Sequence, residues 1–161
     1  MCETQSLCFE LAKGLPAAAV ALVVAFGTGA IAWRQYRVAR AKLNLDLFEK
    51  RYELFTMVWA FVSNVTAHGA PPLASPEKTA LVNSIPKIEF LFGSAIAGYV
   101  QDINSKAAAL WVIDQSRRVR SEVVPQEKID EHRQLLDWFT NEAMEGVRAR
   151  FGVYLNFEAW R

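Results

Sequence analysis

Apolar and polar positions follow two different rules along this chain, and the change between them falls at residue 34. From Leu15 to Trp33 the sequence LPAAAVALVVAFGTGAIAW runs nineteen residues without a formal charge. A helix of that length rises about 28 Å at about 1.5 Å per residue, close to the roughly 30 Å hydrocarbon thickness of a bilayer. The uniform stretch predicts a transmembrane helix over residues 15–33. It leaves a short extracytoplasmic N-terminus, residues 1–14, and a cytoplasmic helical bundle, residues 34–161.

Beyond Trp33 the apolar residues become periodic. Val38, Ala41, Leu45, Phe48, Tyr52, Phe55, Trp59 and Val62 alternate by three and four, the spacing of a helix packed on another helix. Leu47, Leu54, Phe61 and Val65 widen that face toward what a globular bundle requires. Asp46 and Lys50 stand four apart as a favourable helical pair. His68-Gly69-Ala70-Pro71-Pro72 ends the run, because Gly supplies a left-handed cap and two prolines block continuation. Ser75-Pro76-Glu77 starts a second, short helix to about Ser84, with Ser as cap and Pro in the first turn. Pro86 predicts a kink or a fresh start, and Phe90-Leu91-Phe92-Gly93 a plug for the core.

A long helix follows from Ser94 to Arg120, with Ile96, Val100, Ile103, Ala107 and Leu110 facing inward and Tyr99 and Ile113 beside them. Ser121 to Pro125 breaks it. Gln126 to Arg150 reads as the last main helix, with Ile129, Leu136, Phe139, Ala143 and Val147 inward. The stretch Phe151 to Phe157 is apolar enough to fold back on the bundle. The expected fold is all-α: an N-terminal transmembrane helix followed by a small three- or four-helix bundle.

The flanks give the apolar segment an orientation. Arg34, Arg37, Arg40 and Lys42 follow it at once, which places the C-terminal side in the cytoplasm and the N-terminus outside. Trp33 and Tyr36 then sit at headgroup depth. Ala30-Ile31-Ala32 also fits a signal-peptide cleavage site, but residues 1–14 carry Glu3, Glu10 and only Lys13, without the usual basic start. A retained anchor is therefore favoured over a cleaved signal or a buried helix. Ala25, Gly27, Gly29 and Ala30 narrow the segment, which would allow close helix pairing.

Charge and composition remove several functions. Residues 34–161 hold 17 Lys/Arg and 15 Asp/Glu, so no general field favours nucleic acid. Cys2 and Cys8 both precede the anchor, leaving no disulfide framework or Cys-rich zinc site for the bundle. His68 and His132 are the only histidines, and neither belongs to an H-E-x-x-H arrangement. They could meet in three dimensions beside Asp or Glu, but a solvated or capping role is the plainer reading. Glu142 with Glu145, and Glu127 with Asp130 and Glu131, lack the Glu-x-x-His companion of a bundle di-iron site and read as solvated faces. Glu89 borders the Phe90–Gly93 segment and is expected to pair with a base. No P-loop, dinucleotide-binding glycine fingerprint or G-x-S-x-G elbow occurs.

A resemblance adds to this. Lys42-Leu43-Asn44-Leu45-Asp46-Leu47-Phe48-Glu49-Lys50-Arg51-Tyr52 follows one apolar span and a short basic stretch. It is joined by Glu89–Gly93, by Ile96 with Tyr99, and by Tyr154-Leu155-Asn156-Phe157. Over most of residues 15–160 this resembles a group of short uncharacterised bacterial single-pass inner-membrane proteins with a cytoplasmic helical domain. The resemblance implies the architecture and a bacterial inner membrane, and brings no catalytic residue.

Together these features predict a membrane-tethered interaction or scaffold protein, not an enzyme, without cofactor or metal. Its partners would be the lipid bilayer and a second copy or another protein, with no nucleic acid. The expected interaction surface is Tyr36, Arg37, Arg40, Arg117, Arg118, Arg120 and Trp160, since aromatic and Arg anchors carry most contacts. An accessory regulator of a membrane transport or stress system is the alternative, and an enzyme with an unrecognised site a further one.

Overall fold

A single helix, α1, runs from Leu7 to His68 with no break where the apolar segment gives way to the basic flank. The computed structural model describes the backbone of residues 7–119 and 126–156, and the side chains of residues 19–118 and 126–156. Three further stretches follow α1: α2 (Pro76–Phe92), α3 (Ser94–Val119), and a last one built from α4 (Ile129–Asn141), a π-helical turn (Glu142–Gly146) and α5 (Val147–Leu155). The fold is an all-α four-helix bundle. The chain divides into two compact units, Met1–Asp46 and Leu47–Arg161.

Among the described residues, no helix is long and apolar enough to cross a membrane. The described side chains of the apolar segment begin at Ala19, and Arg34 follows Trp33 directly. Residues 15–18 of the expected span lie outside the described side chains, as do Cys8 and the rest of the N-terminal segment. The structure therefore supports neither the expected transmembrane helix nor its orientation, the lipid-bilayer partner or the inner-membrane localisation.

The second unit has a continuous core. Leu54, Val58, Phe61, Val62 and Val65 of α1 meet Leu81, Ile88 and Phe92 of α2 and the inner face of α3. All five residues expected inside α3, from Ile96 to Leu110, are buried, and Tyr99 and Ile113 with them. Phe139, Val147 and Phe151 close the core from the last stretch. On α1 the buried face is rotated from the expected seam. Tyr52 and Trp59 are about half exposed, and the flank of Leu54, Phe61 and Val65 lies inside. A helix that meets several neighbours buries a broad sector, and its centre need not follow the stripe of strictest a/d spacing.

Local signals account for most boundaries. The Ser75 hydroxyl caps α2, accepting from the Lys78 amide at 3.2 Å, and Pro76 opens the helix. Gly69 and Gly93 hold φ of 82° and 91°, ending α1 and α2. Pro86 does not divide α2, contrary to expectation. It lies on the exposed side, where a carbonyl left without a donor can be hydrated. The Phe90–Gly93 plug is split: Phe92 is buried and Phe90 is 91% exposed. The expected ion pair of Asp46 with Lys50 gives way to Lys50 with Glu53 at 3.2 Å.

Arg51 ties three elements together. Its guanidinium donates to the carbonyls of Leu91 at 2.9 Å and Tyr154 at 3.4 Å, and lies over the Phe92 and Tyr154 rings. Partial burial holds its pKa below the usual arginine value. Tyr154 and Leu155 pack on the core, so the C-terminal apolar stretch folds back as far as it is described.

Candidate functional site

Three features of the described residues bear chemistry: a polar triad around a buried glutamate, a cleft at one end of the bundle, and the apolar arm of α1. The triad begins in the π-helical turn. One extra residue per turn moves Glu142 inward, where it is only 6% exposed. Its carboxylate accepts from the Tyr99 hydroxyl at 2.5 Å and from Arg150 Nη2 at 3.4 Å, and the Arg150 guanidinium lies 4.3 Å from the Tyr99 ring centre. Within the same turn the Ala143 carbonyl accepts from the Trp59 indole at 3.0 Å, which gives that half-exposed ring a polar anchor.

Gly146 makes this arrangement possible. A Cβ at that position would run into the Glu142 carboxylate. Burial and the hydrogen bond to Glu142 push the Tyr99 phenol far above its usual pKa. The folded state thus keeps a proton on Tyr99 where the unfolded chain, near pH 10, gives it up. This contribution to stability is present below pH 10 and is lost as the pH rises above it. Urea midpoints measured from pH 8 to 11 are expected to fall above pH 10, and to fall less steeply in Tyr99→Phe. Parallel curves for the two proteins would contradict this role. The triad joins the π-helical turn and α5 to α3 and so fixes the last stretch against it.

The cleft lies where α1 ends. Its larger part, about 440 Å³, is bounded by Phe61, His68, Pro71, Pro72, Glu77 and Arg118. A smaller part of about 230 Å³ shares His68, Gly69, Ala70 and Arg118 and adds Asp114, Arg117 and His132. The structure thus brings the chain's only two histidines to one cleft, beside Arg117 and Arg118 of the last turn of α3. His132 Nε2 lies 3.1 Å from Asp114 Oδ1, both largely buried. Among the described residues no cluster of His, Cys, Asp or Glu could hold a metal ion.

The arm, residues 19–46, carries a different surface. Val20, Leu22, Val23, Val24, Phe26 and Ile31 are all more than half exposed, Phe26 reaching 76%. Thr28 is the one side chain between Ala19 and Ala32 with a polar atom, and its hydroxyl donates to the carbonyls of Val24 and Ala25 in its own helix. Ala21, Ala25 and Gly29 recur every four residues, and a Cβ on Gly27 or Gly29 would meet nothing within 4 Å.

The seven residues expected to form one interaction surface are distributed over both units and the undescribed residues. Tyr36, Arg37 and Arg40 are exposed in the first unit, and Tyr36 contacts Trp33 with ring centres 6.4 Å apart. Arg117 and Arg118 belong to the cleft of the second unit. Arg120 and Trp160 lie outside the described residues. Glu89 is exposed on α2, and none of the ion pairs among the described residues includes it. Glu142 was missed because it follows the i, i+3 pattern of a solvated acid pair with Glu145. The small residue four positions on, Gly146, was the one local hint of a side chain turned inward.

No family model matches the chain, and no curated protein and no solved structure is significantly similar to it. The resemblance to single-pass inner-membrane proteins is accordingly not sustained, since the helix that carried it does not qualify as a span. What stands is an all-helical four-helix domain.

Proposed function

We propose that the chain is a non-enzymatic helical interaction module whose apolar arm pairs with the arm of a second copy. The observation that carries this reading is the uncharged, exposed stretch from Ala19 to Trp33. A helix that is apolar on every side is unstable in water until it is covered. Between Ala19 and Ala32 no side chain offers a free charge or an unengaged hydrogen-bonding group to a partner of different chemistry. The same helix in a second copy offers a surface of matching length and polarity.

Magnitudes favour pairing. Full burial of a Val, Leu, Ile or Phe side chain contributes about 1.5–3 kcal/mol. Covering about half of the six large residues on each of two arms gives roughly 9–18 kcal/mol, comparable with or above the roughly 4–15 kcal/mol that association costs. The Ala21, Ala25 and Gly29 flank permits close approach. Antiparallel pairing sets the two basic flanks, Arg34 to Lys42, at opposite ends.

Sedimentation equilibrium of the full chain tests the proposal. The wild type is expected to be dimeric, and Val24→Asp/Phe26→Asp monomeric with an unchanged bundle. These positions lie about 200° apart around the helix, so the pair interrupts any contact face. A monomeric wild type would overturn the reading, as would a chain that dimerises equally with both aspartates. Flotation of the wild type with neutral phospholipid vesicles, without self-association, would also overturn it.

A further inference from the structure

We infer that the cleft at the end of α1 is a binding site for a small organic monocarboxylate with an apolar body. Its larger part, about 440 Å³, falls within the range of small-molecule pockets. Phe61, Ala70, Pro71 and Pro72 supply apolar walls, and Arg118 lines both parts of the cleft. An arginine fork matches a carboxylate in two parallel hydrogen bonds.

Among the described residues, the carboxylates of the cleft leave that fork available. Asp114 is engaged by His132 at 3.1 Å. None of the ion pairs among the described residues includes Arg117 or Arg118. Both arginines complement the carbonyl end of α3, which explains two cations in that turn. It does not explain why Arg118 borders an apolar-walled cavity. Glu77 also lines the larger part, so a second negative charge on the ligand is repelled. The site therefore selects a monoanion with apolar bulk over inorganic phosphate. This inference is independent of the pairing of the arm.

The histidines supply a reporter. Because the chain has only two and both line the cleft, their ring resonances in a proton NMR spectrum read occupancy directly. Titration of the full chain with benzoate at millimolar concentrations is expected to shift both resonances saturably, whereas inorganic phosphate leaves them in place. Arg118→Gln is expected to weaken benzoate about tenfold with an unchanged melting temperature, because Arg118 is exposed. Glu77→Gln is expected to admit phosphate. Absence of a saturable shift with benzoate, equal shifts with phosphate or benzylamine, or an unweakened Arg118→Gln would each overturn the assignment.

Discussion

Replacing Phe151 by Ala is expected to lower the unfolding free energy by about 3–5 kcal/mol, a large share of the roughly 5–15 kcal/mol that holds a domain together. Phe151 is fully buried in α5, and its ring centre lies 4.9 Å from that of Phe92 and 5.8 Å from that of Phe55. It joins the last stretch to both α2 and α1. Truncation removes the transfer free energy of the ring and leaves a cavity that three helices cannot all close. Urea unfolding followed by far-ultraviolet circular dichroism measures the loss. Val153→Ala, two residues on and 77% exposed, is the control and is expected to change stability by no more than about 0.5 kcal/mol. Similar midpoints for the two variants would show that α5 is not seated as described.

Gly146→Ala is the second large effect, and its sign is the point. In an ordinary helix interior the change favours the helix by about 1 kcal/mol. At Gly146 the new Cβ meets the Glu142 carboxylate and displaces it from the Tyr99 hydroxyl. A buried carboxylate and a buried phenol without partners cost more than the propensity returns, so a net loss of about 1.5–3 kcal/mol is expected. Gly98→Ala is the contrast: Gly98 lies exposed in α3, and nothing would stand within 4 Å of its Cβ. That variant is expected to gain about 0.5–1 kcal/mol. Stabilisation by both substitutions would dissociate the π-helical turn from the triad.

Much of the bundle was legible because its signals are local or strictly periodic. The α3 face, Ile96 to Leu110, repeats cleanly, and each of its residues is buried. Ser75-Pro76 and the two positive-φ glycines mark helix ends by backbone geometry that only a few residue types supply. The α1 face was less legible. Apolar residues cover so much of its circumference that spacing alone could not rank Tyr52 and Trp59 against Leu54 and Phe61. Tertiary neighbours decided it.

The candidate sites were harder to read, for a related reason. Asp114 and His132 are eighteen positions apart, and His68 stands in another helix, so their meeting is a property of the fold. Arg117 and Arg118 were legible as a basic pair, but their place beside His68 and His132 was not, because charge type carries no information about proximity. The apolar segment misled in another way. Uniform hydropathy signals that a helix must be covered without naming what covers it, and among the described residues no helix is long and apolar enough to cross a membrane.

Pairing of the arms is the central claim, and a dipolar distance measurement tests it most directly. Cys2 and Cys8 are replaced by Ser, and Gly27→Cys carries a single nitroxide at a position where a side chain meets nothing within 4 Å. Packed helix axes lie about 8–10 Å apart, so labels near the crossing are expected within about 25 Å of each other. A sharp distance in that range, abolished by dilution with unlabelled chain, is the result the account requires. An undiluted sample without dipolar coupling would contradict it.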